Sequence, residues 1–284
     1  MRFFSFIALF FITATSNAGW GDIVATPMED ITTVGSRIEV KIKYERDLGL
    51  GMLNPDVEGL MVKFTHGMDG KALGISRSDY NGIAKMDFIP PSKGRYSIYA
   101  KIIDNSDQTI PIEIPIYAVD REDGVIVTDI DGTISDLPAY LIPYYGHEAP
   151  TFDFAPKLFK LLSENTQIIY LTNRDDALYY STHDFLNLHE FPDGTLIMNQ
   201  WDSMDDLPYL RDPLDPALFK IKIIKTLLSR GVRVIYGIGN ANSDAFAYTE
   251  STIGCYILKS DEEINYPCTI FRTYRGLKSK LIKQ

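Results

Sequence analysis

The sequence predicts an α/β protein with a mainly parallel sheet, preceded by an all-β segment. Three observations carry this. Short alternating runs punctuated by turn residues fill about 36–118, strands then alternate with amphipathic helical segments from Gly124 onward, and two carboxylates, Asp129 and Asp131, stand where the first strand of that second part ends. With 284 residues, 45% apolar and 23% charged, the chain has room for one large or two medium domains and a substantial core.

The chain opens with Arg2, an apolar run from Phe3 to Ile12, and the small and polar residues Thr13 to Ala18. This is the tripartite pattern of an export signal over 1–18, with Ser16-Asn17-Ala18 as cleavage site and Gly19 as the mature N-terminus. The apolar run is shorter than the roughly 20 residues that span a bilayer. The expectation is a soluble periplasmic or secreted protein.

Next, Ile38–Tyr44 alternates in and out, as do Gly59–Phe64, Ala84–Phe88 and Tyr96–Ile102. Asn54-Pro55, Asp69-Gly70, Asn81-Gly82, Pro90-Pro91 and Lys93-Gly94 separate them as turns. Strands at this spacing predict a small immunoglobulin-like β-sandwich over 19–119, with no residue placed for chemistry.

The third segment, 120–284, reads as strand Gly124–Thr128, helix Pro156–Glu164, strand Gln167–Leu171, helix Ala177–His189 and strand Leu196–Met198. Helix Pro216–Arg230, strand Val232–Tyr236, helix Ser243–Thr249 and strand Cys255–Leu258 follow. Alternation of this kind predicts a parallel sheet covered on both faces.

A net charge of −10 argues against nucleic acid as a partner. The stretch from Arg272 to Gln284 is locally basic, carrying Arg272, Arg275, Lys278, Lys280 and Lys283 without an acid. It reads either as a solvated helix face or as a patch that meets phosphate head groups in peripheral membrane contact. Cys255 and Cys268 are the only cysteines; in an exported chain they form a disulfide or remain two buried thiols on neighbouring strands.

The chemistry concentrates at strand ends. Val125-Ile126-Val127-Thr128 runs into Asp129-Ile130-Asp131-Gly132-Thr133, and ligand sites in open α/β sheets lie outside the carboxyl ends of strands. Asp129 can attack phosphorus in line, and Asp131 then suits proton transfer to the leaving oxygen and from the hydrolytic water. Gly132 permits the tight turn and Thr133 steadies the loop. By itself such a loop is equally a calcium-loop fragment or an ordinary turn.

Three further signals follow. Gln167–Leu171 ends at Thr172-Asn173-Arg174, a hydroxyl and an amide beside the same sheet edge, where Thr172 also suits helix capping. Lys220 or Lys222 at a helix start can neutralise phosphate charge. Gly239-Asn240-Ala241-Asn242-Ser243-Asp244 is a glycine turn with an acid opening a helix. Asp244 can ligate a hard cation with Asp129 and the Asp131 carbonyl, Asn240 standing near. Mg²⁺ suits such a set because it takes few protein oxygens, although a first-turn acid favoured by the helix dipole explains Asp244 equally well.

In this order the four signals resemble the haloacid-dehalogenase superfamily across about 124–270. Asp129-Ile130-Asp131-Gly132-Thr133, Tyr170-Leu171-Thr172, Phe219-Lys220-Ile221 and Gly239-Asn240 with Asp244 and Ala247-Tyr248 resemble most its lipin-type phosphatidate phosphatase branch. The resemblance implies a HAD-like Rossmannoid sheet with a small or absent cap. It also implies Mg²⁺-dependent dephosphorylation of phosphatidate through Asp129, Asp131, Thr172 and Lys220, and it selects Lys220 over Lys222. Gly132, Thr133, Asn173 and Arg174 are then the substrate-binding candidates, and Asp129, Asp131, Asp244 and Asn240 the metal candidates. Thr172-Asn173-Arg174 and Gly239-Asn240-Ala241 depart from the branch's usual residues, which bears on the substrate more than on the catalysis. A soluble phosphomonoesterase and a non-catalytic lipid- or phosphate-binding module are the alternatives.

Overall fold

A computed structural model describes residues 21–49, 54–68, 70–103, 110–137, 141, 145–200, 215–259 and 262–281. The expected export signal over 1–18 lies outside them.

The N-terminal part holds eight strands: β1 (Ile23–Met28), β2 (Asp30–Thr33), β3 (Ile38–Arg46), β4 (Met61–His66), β5 (Lys71–Arg77), β6 (Ile83–Phe88), β7 (Gly94–Ile102) and β8 (Ile112–Val119). They form a three-stranded sheet in the order β1-β3-β6 and a five-stranded sheet in the order β2-β8-β7-β4-β5. Pairing is antiparallel except between β2 and β8, which run parallel. Alternation in β3 sends Ile38, Val40 and Ile42 inward, against Val62 and Phe64 of β4, Ile98 of β7 and Ile114 and Ile116 of β8. Both sheets therefore share one apolar core. Four of these strands, β1, β2, β5 and β8, lie outside the alternating runs of the sequence. Pro115 breaks the strand pattern in the sequence of β8, although that strand runs unbroken through it inside its sheet, and β5 is an edge strand containing Gly74 with no fully buried residue. The chain crosses from one sheet to the other at Glu29, between the short β1 and β2.

The second part has six strands, β9 (Gly124–Thr128), β10 (Gln167–Asp175), β11 (Thr195–Asn199), β12 (Arg233–Gly239), β13 (Gly254–Leu258) and β14 (Thr269–Phe271). Its helices are α1 (Ala155–Ser163), α2 (Tyr179–Leu188), α3 (Asp215–Ser229), α4 (Asn242–Glu250) and α5 (Tyr274–Leu281). All strand pairs are parallel, in the order β11-β10-β9-β12-β13-β14. Counted along the chain this is the 3-2-1-4-5-6 order of a Rossmann sheet, whose ligand crevice opens at the carboxyl ends of the two strands flanking the switch, here β9 and β12.

Apolar layers cover both faces, which is why these strands read as continuous apolar runs. Ile126 and Ile168 pack with Leu158 and Phe159 of α1, Phe185 of α2 and Tyr274 of α5. Val127 and Leu171 pack on the other face with Ile224 of α3 and Tyr248 of α4. Ile31 of β2 and Tyr117 and Val119 of β8 belong to this second layer, so the two parts of the chain share a core as well. Between Thr133 and Thr172 the described residues hold a 3-10 turn, Gly146–Glu148, and α1, without a separate cap layer among them. Cys255 and Cys268 form a disulfide, which ties β13 to the segment entering β14.

Candidate active site

The loop Asp129–Thr133 leaves the carboxyl end of β9, and the Asp129 N–H donates to the carbonyl of Ile238 in β12 at 2.9 Å. Gly132 takes φ +71°, and a Cβ there would fall 2.3 Å from Asn240 Nδ2, so only glycine lets the two loops close on each other. Asp129 is 6% exposed. Its Oδ1 accepts from Lys220 Nζ at 2.7 Å, and its Oδ2 lies 3.1 Å from Thr133 Oγ1. The same Thr133 hydroxyl is 3.1 Å from Asn240 Oδ1. Having one proton, it serves one of these acceptors at a time.

Lys220 projects from α3 and is buried, whereas Lys222 is exposed. Its ammonium also donates to Asp244 Oδ1 at 2.5 Å. Asp244 sits in the first turn of α4, and its Oδ2 accepts the backbone N–H groups of Asn240 and Ala241 at 3.1 and 3.2 Å. The carboxylate thereby satisfies donors that the helix start leaves free. A Cβ at residue 239 would lie 2.5 Å from that side chain, which accounts for Gly239.

Two buried carboxylates thus share one ammonium. Burial pushes Asp129 up to about 7, Lys220 opposes this, and the charges of Asp244 and Asp131 add to it. Burial pulls the Lys220 ammonium down, but Asp129 and Asp244 outweigh it and hold the group protonated.

Asp131 belongs to a second ion pair. Arg174 Nε lies 3.2 and 3.0 Å from its two oxygens, and Nη2 donates to Oδ1 at 2.7 Å, a two-pronged contact. Arg174 Nη1 donates to Thr182 Oγ1 at 2.9 Å, and the guanidinium lies over the Phe185 ring at 5.8 Å. Arg174, expected among substrate-binding residues, is therefore engaged by protein groups on both sides.

Its neighbours differ from the sequence reading in their element. β10 does not stop at Leu171 but continues to Asp175, with an irregularity in its pairing to β11 between Thr172 and Asp175. Thr172 Oγ1 accepts the Arg174 N–H at 3.2 Å, and Asn173 Oδ1 accepts from Asn199 Nδ2 at 2.8 Å. The local bulge turns these groups to bracing the strand.

Asp129, Thr133, Lys220, Asn240 and Asp244 come together, with Gly132 against Asn240. Asp131 and Arg174 pair beside them. Among the described residues, no three His, Cys, Asp or Glu side chains group as a metal site. Tyr274 was not foreseen: it is fully buried at the start of α5 and donates to the Thr133 carbonyl at 2.6 Å. Tyr248 likewise donates to the Ile238 carbonyl at 3.0 Å. Tyr274 carries no local signal in the sequence, because its contact joins residues 141 positions apart, whereas Tyr248 belongs to the Ala247-Tyr248 pair of the lipin-type pattern.

Residues 81–281 match the model of the family described as LNS2 (Lipin/Ned1/Smp2), a range that begins within the N-terminal sheets. No curated protein matches the chain. Among solved structures, the D,D-heptose bisphosphate phosphatase of B. bronchiseptica, complexed with magnesium and phosphate, is 12% identical over 56% of this chain and 97% of its own, with a TM-score of 0.42. The Pnkp1/Rnl/Hen1 complex is 17% identical over 50% of each chain at a TM-score of 0.34, and the D0-D1 domain of Intimin is 15% identical over 34% of this chain and 46% of its own at 0.22. These structural likenesses are loose, and the family match stands without them. The chain belongs to the LNS2 (Lipin/Ned1/Smp2) family, a haloacid-dehalogenase-like phosphatase family.

Proposed function

We propose that the chain is an exported, Mg²⁺-dependent phosphatase that works through an aspartyl-phosphate at Asp129, with phosphatidate or a related phospholipid as substrate. The observation that carries the mechanism is the convergence of Asp129 and Asp244 on the Lys220 ammonium, with Asp131 held apart by Arg174. In the first step an Asp129 carboxylate oxygen bonds to phosphorus while the ester P–O bond breaks, and Asp131 protonates the departing oxygen. In the second, Asp131 takes a proton from water as that water displaces the Asp129 oxygen, releasing phosphate. Lys220 offsets charge on Asp129 and on the phosphoryl oxygens.

The donor set fits Mg²⁺, since two buried carboxylates already converge on one cation and supply the hard oxygens it prefers. Asp129, Asp244 and the Asp131 carbonyl would hold the ion, with Asn240 beside them. When bound, it supplies positive charge to the phosphoryl group.

The lipin-type motifs, the short interval between Thr133 and Thr172 and the basic face of α5 support a lipid substrate. Export is supported by the N-terminal pattern and by the Cys255–Cys268 disulfide. We read 19–119 as an immunoglobulin-like domain and 120–284 as the phosphatase domain.

The test is phosphate release by the chain from Gly19 onward, with phosphatidate in mixed micelles against a panel of soluble phosphomonoesters, each with Mg²⁺ and with chelator. The expected result is Mg²⁺-dependent release chiefly from phosphatidate. Preference for a soluble ester replaces the substrate and keeps the chemistry. Absence of release from every ester favours a binding module.

A further inference from the structure

We infer that Glu29, at the crossover between the two N-terminal sheets, positions the Asp131 carboxylate through α2 and Arg174, so that the all-β part of the chain serves proton transfer. The inference rests on the reading of Asp131 as the group that protonates the leaving oxygen.

The contacts form an unbroken series. The Glu29 side chain is fully buried, and its carboxylate accepts three hydrogen bonds, all from the second part of the chain. Tyr179 Oη donates to Oε1 at 2.7 Å, His183 Nε2 meets the same oxygen at 2.5 Å, and the backbone N–H of Leu196 donates to Oε2 at 2.9 Å. Tyr179 and His183 are four residues apart and share one face of α2. Leu196 lies in β11. One carboxylate therefore fixes α2 in rotation and height against the sheet edge.

Thr182 lies on the same turn of α2, fully buried, and its hydroxyl accepts from Arg174 Nη1. The remaining edge of that guanidinium holds Asp131. A planar fork gripped at one end by Thr182 and backed by Phe185 has little freedom left to swing at the other. Side-chain exposure is 0% at Glu29, 3% at Arg174 and 11% at Asp131, with His183 at 30% the most open link, so water does not cheaply replace the grip of Arg174 on Asp131. If Glu29 only fastened the two parts together, no such path to Asp131 would be needed, and its loss would slow every substrate alike.

Leaving-group dependence separates the two roles. An aryl ester such as p-nitrophenyl phosphate leaves with little protonation, whereas an alkyl ester such as glycerol phosphate needs the acid. The parameter kcat/KM reports the step in which that bond breaks, ahead of phosphoenzyme hydrolysis. In the full chain, Glu29→Gln and Thr182→Val are expected to lower kcat/KM for the alkyl ester about tenfold or more, a part of the roughly 10²–10⁴-fold that general acid catalysis contributes, and for the aryl ester less than about threefold. Thr182→Val exchanges a buried hydroxyl for a methyl of the same shape, so it decides the matter if Glu29→Gln fails to fold. An equal fall for both esters in Thr182→Val, or no fall, overturns the inference while leaving the phosphatase reading intact. Wild-type protein inactive on both esters and on phosphatidate, or Asp129→Asn as active as wild type, overturns that reading and the inference with it.

Discussion

Lys220 and Lys43 are both buried at 3% exposure among acids, and the difference between them lies in distance. Lys220 touches Asp129 and Asp244 at 2.7 and 2.5 Å, at the carboxyl ends of the parallel strands. Lys43, in β3, lies 3.4 Å from Glu45, 3.6 Å from Asp56 and 4.0 Å from Asp176, the last belonging to the second part of the chain. Burial pushes Glu45 up to about 7 against the pull of Lys43, with Asp176 and Asp56 adding to the rise. Asp129 reaches a similar value for similar reasons. A carboxylate titrating near neutrality is thus produced as readily at a joint between sheets as at a strand end. Contact geometry and placement at the switch point distinguish the two clusters.

The widest separation is expected from removing one carboxylate in each. Asp129→Asn should cut phosphatase turnover at least about 10³-fold with the fold retained, while Glu45→Gln should leave turnover within about twofold. Comparable losses in a phosphate-release assay would erase the distinction.

Removing the lysines is the next test. Lys220→Met leaves Asp129 and Asp244 facing each other without a cation, and urea unfolding should show a loss of about 3–5 kcal/mol. Lys43→Met should cost less, about 1–3 kcal/mol, because its ion pairs with Glu45 and Asp56 are longer, at 3.4 and 3.6 Å, and Asp56 is 24% exposed. The reverse order would mean that the joint is the tighter cluster.

Stability against pH sharpens the comparison further. The folded pKa of Glu45 is about 7, above its ordinary 4.5, so between these values the folded chain binds a proton that the unfolded chain releases. Stability falls as pH rises through that window, and the whole penalty is present above 7. Glu45→Gln should therefore raise stability by about 1–3 kcal/mol at pH 8 and by almost nothing at pH 4. A gain independent of pH would locate the effect in packing.

The smallest effect is expected at Tyr274→Phe, which removes only the hydrogen bond to the Thr133 carbonyl. It should cost about 1 kcal/mol in thermal unfolding and lower turnover a few-fold. Unchanged turnover would show that the Asp129–Thr133 loop holds its shape without α5.

Much of the candidate site was legible in the sequence because it is built from strand ends. The apolar runs before Asp129, Thr172 and Gly239 announce buried parallel strands, and the residues following them must lie at one edge of the sheet. Lys220 was legible only through its Phe219-Lys220-Ile221 context, since a lysine on a helix is ordinarily solvated. Arg174 and Asp131 are separated by 43 positions, and nothing local to either shows that they pair. Thr172-Asn173-Arg174 reads as the exit from a strand, whereas the bulge prolongs β10 to Asp175. The all-β part was less legible. Pro115 argues against an interior strand that nevertheless forms, and Glu29 looks like any acid in a turn until its three donors arrive from elsewhere.

The shared core of Ile31, Tyr117 and Val119 with the second part of the chain bears on how this protein can be divided. β11 lies at the margin of its sheet, paired on one side by β10, and Glu29 caps its Leu196 N–H from the other. A fragment beginning at Gly124 would keep every proposed catalytic residue and yet present a bare strand margin beside an uncovered apolar layer, the combination that drives chains to join edge to edge. Such a fragment is expected to precipitate on expression, and the two parts are fit to be inherited, cloned and exchanged only as one piece.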